Sequence, residues 1–261
     1  MNQKTRLTLI LDELKNHPSL SLKDIMQLTG TSRDTARRDI VKLAAHNLAE
    51  RNYGGISRPN TFNKLDQYLD RDDDLLQTKR ALAHTASSYL LNDALLFLDI
   101  STTVACLPQY LQSKHPGMIV TNSLDIADQA LRHSNFQTRI LGGTLDAQQR
   151  CVQGADSILA LHKFRFTTTV LSCAGLTADG VYYAYESDIA LKETLRAQSD
   201  RLVLLFDHTK VNVSHNFNLL ALSDFDYFVT DQPLPDNLAT KIAPDKLIYL
   251  RGGSLTCHLH Y

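Results

Sequence analysis

The residues equipped for chemistry gather in five short stretches, each just after an apolar run: Asp99-Ile100-Ser101-Thr102-Thr103, Thr121-Asn122-Ser123, Gly142-Gly143-Thr144, Ala174-Gly175 and Asp207-His208-Thr209-Lys210. Hydroxyls, glycines with accessible N–H groups and a lysine are the groups that hold a phosphate. Helix starts add unpaired N–H donors and a partial positive charge. Any one stretch alone is ordinary turn chemistry, because Ser and Thr cap helices and Gly-Gly turns the chain. Their recurrence at equivalent places is the signal. Lys210 is the candidate for the charge contact, with Thr102, Thr103, Asn122 and Gly143 as hydrogen-bond donors. Asp99, Glu186 and Asp207 are also candidate general bases, with Lys210 as an electrostatic stabiliser of developing negative charge. No spacing places a base beside an electrophile, and a fold does not carry its chemistry with it. His208, beside Asp207, reads as a hydrogen-bonded structural histidine.

These stretches need a scaffold, and the pattern of apolar runs supplies one. Ala94 to Asp99, Met118 to Thr121, Thr138 to Leu141, Thr168 to Leu171 and Leu202 to Phe206 read as buried strands. Lys79 to Leu91, Val104 to Leu111, Ser123 to Leu131 and Ser187 to Arg196 read as helices. Alternation of this kind predicts an α/β domain with a mostly parallel sheet covered on both faces. Ligands of such sheets sit at the carboxyl ends of the strands.

A second chemistry lies near the N-terminus, in Ser32-Arg33-Asp34-Thr35-Ala36-Arg37-Arg38-Asp39-Ile40-Val41-Lys42-Leu43. Ala36, Ile40 and Leu43 recur at i, i+4 and i+7, one apolar face of a helix, and leave Thr35, Arg37, Arg38 and Lys42 off that face. Ser32 is placed to cap the helix. Upstream, Leu7, Ile10, Leu11 and Leu14 mark one helix, and Leu22, Ile25 and Met26 a second that starts at Ser21 and stops at Gly30. Asn47 is a further left-handed cap, and Leu48 to Arg51 with Gly54-Gly55-Ile56 suggests a hairpin wing. Together these predict a winged helix-turn-helix. Arg37 and Arg38, with Thr35 and Arg33, would enter the major groove of duplex DNA, while Arg51 and Arg58 flank the backbone from the wing.

The whole chain sets bounds on both readings. Its 261 residues allow two domains, 43% hydrophobic and 21% charged residues suit a globular protein, and no apolar run reaches the length of a membrane span. With its polar start, Met1-Asn2-Gln3-Lys4, the chain reads as cytoplasmic. Cys106, Cys151, Cys173 and Cys257 form no Cys-x-x-Cys pair, so they are read as reduced, and neither a metal nor a cofactor is expected. Cys257, His258 and His260 at the terminus are read as incidental. The net charge of −1 conceals an asymmetry: residues 1–58 hold ten Lys and Arg against six Asp and Glu, the remainder 17 against 22. A basic N-terminal module suits phosphate backbones. Between Ser57 and about Leu75 the periodicity lapses, with turn chemistry at Arg58-Pro59-Asn60-Thr61 and a charge run from Asp70 to Asp74. The expected division is therefore 1–57 winged helix-turn-helix, 58–75 linker and 76–261 a larger sensing and oligomerisation domain.

Thr35-Ala36-Arg37-Arg38-Asp39-Ile40 followed by Arg51-Asn52-Tyr53-Gly54-Gly55-Ile56 resembles the N-terminal signature of the DeoR family of bacterial sugar-catabolism regulators, a Thr-Ile-Arg-Arg-Asp-Leu helix before an Arg-x-His-Gly-Gly-Ala turn. Asp99 to Thr103, Thr121 to Ser123, Gly142-Gly143, Asp179-Gly180-Val181, Lys192 and Asp207 to Lys210 also fall in that family's order. The resemblance implies a ribose-phosphate-isomerase-like, CoA-transferase-like domain that senses a phosphorylated sugar, and a module that binds operator DNA, usually to repress. It implies no enzyme. DNA contacts would come from Ser32, Arg33, Thr35, Arg37, Arg38, Lys42, Arg51, Tyr53 and Arg58. Effector contacts would come from Asp99, Ser101, Thr102, Thr103, Thr121, Asn122, Gly142, Gly143, Gly175, Glu186, Lys192, Asp207 and Lys210. A homodimer or higher oligomer on paired half-sites follows, since one module reads few base pairs. The chain departs from the family at Ser101, where a glycine is usual and where a side chain restricts the backbone. Tyr53 for histidine keeps an aromatic, hydrogen-bonding tip, and Thr209 for serine is mild.

Overall fold

The computed structural model describes residues 2–17, 19–45, 48–52, 54–57, 68, 75–90, 92 and 94–250. The chain divides into two compact units, 1–64 and 65–261. Asn47, Tyr53, Arg58, the Asp70 to Asp74 run and the terminal Cys257, His258 and His260 lie outside the described residues.

The first unit runs α1 (Gln3–Asn16), β1 (Ser19–Ser21), α2 (Leu22–Thr29), α3 (Arg33–Ala45), β2 (Glu50–Asn52) and β3 (Gly55–Ser57). Several helix ends have a local cause. Asn2 Oδ1 accepts the Thr5 amide at the start of α1. Ser21 and Asp24 form a reciprocal capping box on α2, with Asp24 N–H to Ser21 Oγ at 3.1 Å and Ser21 N–H to Asp24 Oδ2 at 2.9 Å. Gly30 ends α2 at φ 63°, the left-handed region glycine enters without a Cβ clash. The Ser32 hydroxyl faces that of Thr35 at 3.1 Å, where a backbone amide had been the expected partner. Ile10, Leu14, Ile25, Ala36, Ile40 and Leu43 close a core with Leu20, Ala49 and Ile56. The strands form an antiparallel sheet in the order β1-β3-β2, so the wing hairpin is extended by a strand from between the first two helices.

The second unit holds α4 (Leu76–Ser87), β4 (Leu95–Leu98), β5 (Met118–Thr121), α5 (Leu124–His133), β6 (Gln137–Ile140), β7 (Thr144–Asp146), β8 (Cys151–Gln153), α6 (Ala155–Leu161), β9 (Thr168–Leu171), β10 (Gly175–Thr177), β11 (Gly180–Tyr183), α7 (Asp188–Ala197), β12 (Leu202–Phe206), β13 (Phe217–Leu220), β14 (Tyr227–Thr230), α8 (Asp236–Ala239) and β15 (Leu247–Tyr249). Seven strands form one sheet in the order β15-β14-β12-β9-β4-β5-β6, and every pairing in it is parallel. Alternate residues of each strand feed different cores. Phe97, Leu171, Leu204 and Phe228 pack on one face with Leu191 and Leu195 of α7. Leu96, Leu98, Val170 and Leu205 pack on the other with Leu82 and Ala86 of α4 and Ile126 of α5. This is the expected α/β class.

Two local readings need correction. Val104 to Leu111 is not one helix but two 3-10 turns, Val104–Cys106 and Pro108–Tyr110. Pro108 has no N–H to donate to the carbonyl four residues back, so the α-helical ladder breaks there. The helix read as Lys79 to Leu91 begins at Leu76 and ends at Ser87. A small antiparallel sheet, β10-β11-β13, and the hairpin β7-β8 were not legible, being strands of three or four residues without a long apolar run.

Candidate functional site

The direction of chain travel locates the main site. From β4 the chain moves outward through β5 to β6, then returns to place β9 on the other side of β4 and continues through β12, β14 and β15. Crossovers therefore diverge between β4 and β9, and parallel sheets bind ligands in the crevice this opens beyond the carboxyl ends. A solvent-connected cleft with about 770 Å³ of empty space lies there, lined by Asp99 to Thr103 after β4, Ser172 to Ala174 after β9, and Asp207, Thr209 and Lys210 after β12. Tyr183 of β11, Tyr185, and Asp188 and Lys192 of α7 add another wall. Gln149, from the β7-β8 turn, donates from Nε2 to the Tyr185 hydroxyl at 2.7 Å across it.

The loop after β4 is tied down from within. Ser101 Oγ accepts the amides of Thr103 at 3.0 Å and Val104 at 3.4 Å, and the Ile100 amide donates to Asn122 Oδ1 at 3.2 Å. Positive φ at non-glycine residues occurs, among the described residues, only at Leu75, Arg150 and Asn212. Ser101 thus needs no glycine conformation, and the backbone restriction expected of it costs nothing. The hydroxyls of Thr102 and Thr103 and the amides of Ser101 and Thr102 have no hydrogen-bond partner among the described residues. All three residues line the cleft.

Its charges are arranged unequally. Lys192 is 1% exposed, with Nζ 2.7 Å from Asp99 Oδ2, 3.1 Å from Asp188 Oδ1 and 5.0 Å from the centre of the Tyr183 ring. Burial opposes its charge, but the two carboxylates outweigh burial and keep it an ammonium, while burial pushes the Asp99 carboxyl up. Lys210 is half-buried and has no carboxylate within ion-pair distance among the described residues. Asp207 Oδ1 accepts the Thr209 amide at 2.9 Å and the Thr209 hydroxyl, which fixes the turn that carries Lys210. Burial pushes the thiols of Cys151 and Cys173 up to about 12, so neither is a thiolate near neutrality.

Several expected contacts fall elsewhere. Thr121 is buried beneath the rim, donating to Leu98 O at 2.6 Å. Asn122 faces a neighbouring apolar cleft beside α6 and α7. Gly142 and Gly143 follow β6, at the edge of the sheet, and are not part of this cleft's lining. The Gly142 carbonyl accepts from Ser157 Oγ at 2.7 Å, and Gly143, at φ 145°, turns the chain into β7. Gly175 starts β10 and lies against Val213, whose carbonyl oxygen would sit 2.2 Å from any Cβ there. Glu186 is exposed and off the lining. Lys192 lines the cleft with its charge already taken. His208 is held outside it, its amide 2.7 Å from Asp231 Oδ1 and its Nδ1 2.6 Å from Oδ2. Tyr183, Asp188, Gln149 and Cys173 were missed. Only Asp188 left a trace, standing four residues before Lys192 on one helix face.

In the first unit, Arg33, Arg37, Arg38 and Lys42 of α3 are exposed, Thr35 is half-buried, and Arg51 is exposed on β2. The three α3 arginines have no ion pair among the described residues. Lys42 Nζ donates to Gln3 Oε1 at 3.0 Å. Asp39, on the inner side of α3, is fully buried and held by Arg6 Nε at 2.7 Å and Gln3 Nε2 at 3.2 Å, which fastens α3 to α1. The result is a basic outer face on an anchored helix.

A winged helix-turn-helix with such a face, carried in one chain with an α/β unit that opens a polar cleft at its switch point, defines a DNA-binding regulator with a sensor domain. The chain belongs to the DeoR family: residues 6–62 match the DeoR-like helix-turn-helix domain, and residues 75–232 the DeoR C terminal sensor domain. It is 30% identical over 232 residues to the HTH-type transcriptional repressor GlcR of Bacillus subtilis (strain 168), covering 89% of this chain and 90% of that protein. It is 26% identical over 236 residues to the Glycerol-3-phosphate regulon repressor of Escherichia coli (strain K12), covering 90% and 93%. The L-fucose operon activator of Haemophilus influenzae is 29% identical over 231 residues, covering 88% and 92%. Among the described residues no helix is long and apolar enough to cross a membrane, and no group of three or more His, Cys, Asp and Glu could hold a metal ion.

Proposed function

We propose that this chain is a cytoplasmic repressor of sugar-metabolism genes whose grip on operator DNA is set by a phosphorylated sugar in the β12-β9-β4 cleft. The observation that carries the effector half is that the Thr102 and Thr103 hydroxyls, the Ser101 and Thr102 amides and the Lys210 ammonium, none with a hydrogen-bond or ion-pair partner among the described residues, belong to residues lining one cleft. That set matches a phosphate in donors and in charge. The names of two relatives accord with it, one a Glycerol-3-phosphate regulon repressor and the other an L-fucose operon activator. Ser32, Arg33, Thr35, Arg37, Arg38, Lys42 and Arg51 are the DNA contacts of the described part, and two copies on paired half-sites supply the specificity that one module lacks.

Catalysis is not part of this reading. Of the three candidate bases, Glu186 stands off the cleft, one oxygen of Asp207 is engaged by Thr209, and Asp99 is paired with Lys192. A thermal-shift screen with sugar phosphates tests the effector site directly. At least one stabilises the wild-type chain, and Lys210→Ala removes most of that shift; stabilisation that survives Lys210→Ala takes the lysine out of the site.

A further inference from the structure

Two buried polar atoms of residues lining the cleft have no hydrogen-bond partner among the described residues: Asp99 Oδ1 and the Tyr183 hydroxyl. Both residues line the cleft and are 1% and 4% exposed. Leaving such atoms unpaired in a folded protein is costly, and the cost is recovered when a ligand supplies the missing hydrogen bond. The charges nearby say which part of a ligand that is. Asp99 and Asp188 bracket Lys192, whose charge they engage, so this corner offers carboxyl acceptors that suit O–H donors better than a phosphate. Lys210 and the Thr102 and Thr103 hydroxyls lie on the stretches after β12 and β4, and take the anion.

Resting on the sugar-phosphate reading above, we propose that Asp99 Oδ1 and the Tyr183 hydroxyl read the hydroxyl pattern of the sugar and so determine which phosphorylated ligand acts on this chain. A sugar hydroxyl donates to Asp99 Oδ1, and another exchanges a hydrogen bond with Tyr183. The Asp99 carboxylate is held in place for this by its other oxygen, 2.7 Å from Lys192 Nζ, and the Tyr183 ring by lying over the same ammonium. Ligands that keep the phosphate but lack hydroxyls at these points bind weakly, because the site then buries unpaired polar atoms.

Calorimetric titration of the full chain tests this, with D-glucose 6-phosphate, D-fructose 6-phosphate, D-ribose 5-phosphate, sn-glycerol 3-phosphate and inorganic phosphate as probes. For the tightest sugar phosphate, Tyr183→Phe, which keeps the ring over Lys192, weakens binding roughly ten- to a hundred-fold. It leaves the weak binding of inorganic phosphate unchanged. Deoxy analogues of that ligand lose affinity for the wild-type chain, and the analogue lacking the hydroxyl at Tyr183 loses no more when Tyr183→Phe is added. Asp99→Asn, checked by its melting curve, shows the same selectivity for a second hydroxyl. Equal binding of the sugar phosphate to wild type and Tyr183→Phe, or parallel loss of sugar phosphate and inorganic phosphate, overturns the assignment alone. A wild-type chain that binds no probe overturns the sugar-phosphate reading as well.

Discussion

At the scale of single residues, two lysines of one cleft have opposite fates. Lys210 and Lys192 follow equally from family order, yet Lys192 is enclosed by Asp99 and Asp188 while Lys210 has no counter-ion among the described residues. Removing Lys192 strands two carboxylates in the interior, and Lys192→Ala should lower the stability of the α/β unit by about 3–5 kcal/mol, read from urea unfolding. A loss under 1 kcal/mol would mean the cluster is open to water. The difference between the lysines was hidden from sequence because Asp99 and Lys192 are 93 positions apart. Asp39 was hidden likewise, quoted as part of a signature and never as the anchor of α3. Burial opposes its ionisation, but hydrogen bonds from Arg6 and Gln3 outweigh burial and hold the carboxyl below its usual 3.8. A folded pKa below the unfolded one adds stability that is present above the unfolded value and lost as pH falls through the folded one. Calorimetry should therefore show the wild-type chain losing stability below about pH 4. Asp39→Asn should begin about 1–2 kcal/mol lower at neutral pH and have less to lose on acidification.

At the scale of elements, what could be read depended on length and burial. β9 and β12 are buried at every position and announce themselves as apolar runs. β10, β11 and β13 escaped notice, since a short antiparallel ribbon beside a loop has no periodic signature, and Tyr183 escaped with them. The helix-turn-helix was legible because its turn has local chemical causes: Ser21 with Asp24 opens α2, Gly30 closes it, and the Ala36, Ile40, Leu43 face seats α3. That seating turns Arg37 and Arg38 outward. Replacing either with alanine should weaken operator binding by about 1–3 kcal/mol if that residue reads a base, and relax specificity at one position; a phosphate contact instead weakens all sequences alike and flattens the salt dependence. Anisotropy titrations on operator and scrambled duplexes separate these, and unchanged affinity in both variants would mean that another face of α3 meets the DNA.

At the scale of the molecule, topology selected among the sequence's own candidates. Five strand ends carried suitable residues, and the polar cleft lies where β12, β9 and β4 stand side by side, with the ends of β5 and β6 off its lining, a distinction of strand order that residue types do not encode. Charge separation completes the division of labour, with the surplus of Lys and Arg in residues 1–58 and that of Asp and Glu beyond. The central claim is that occupancy of the cleft alters DNA affinity. Fluorescence anisotropy of the full chain on DNA from upstream of its own gene, at fixed salt, with and without each sugar phosphate, tests it most directly. The account predicts that at least one ligand shifts the dissociation constant by roughly 5- to 150-fold and that Lys210→Ala abolishes the shift while leaving ligand-free binding intact. An affinity for DNA that no sugar phosphate changes, in a chain shown to bind one, would contradict it.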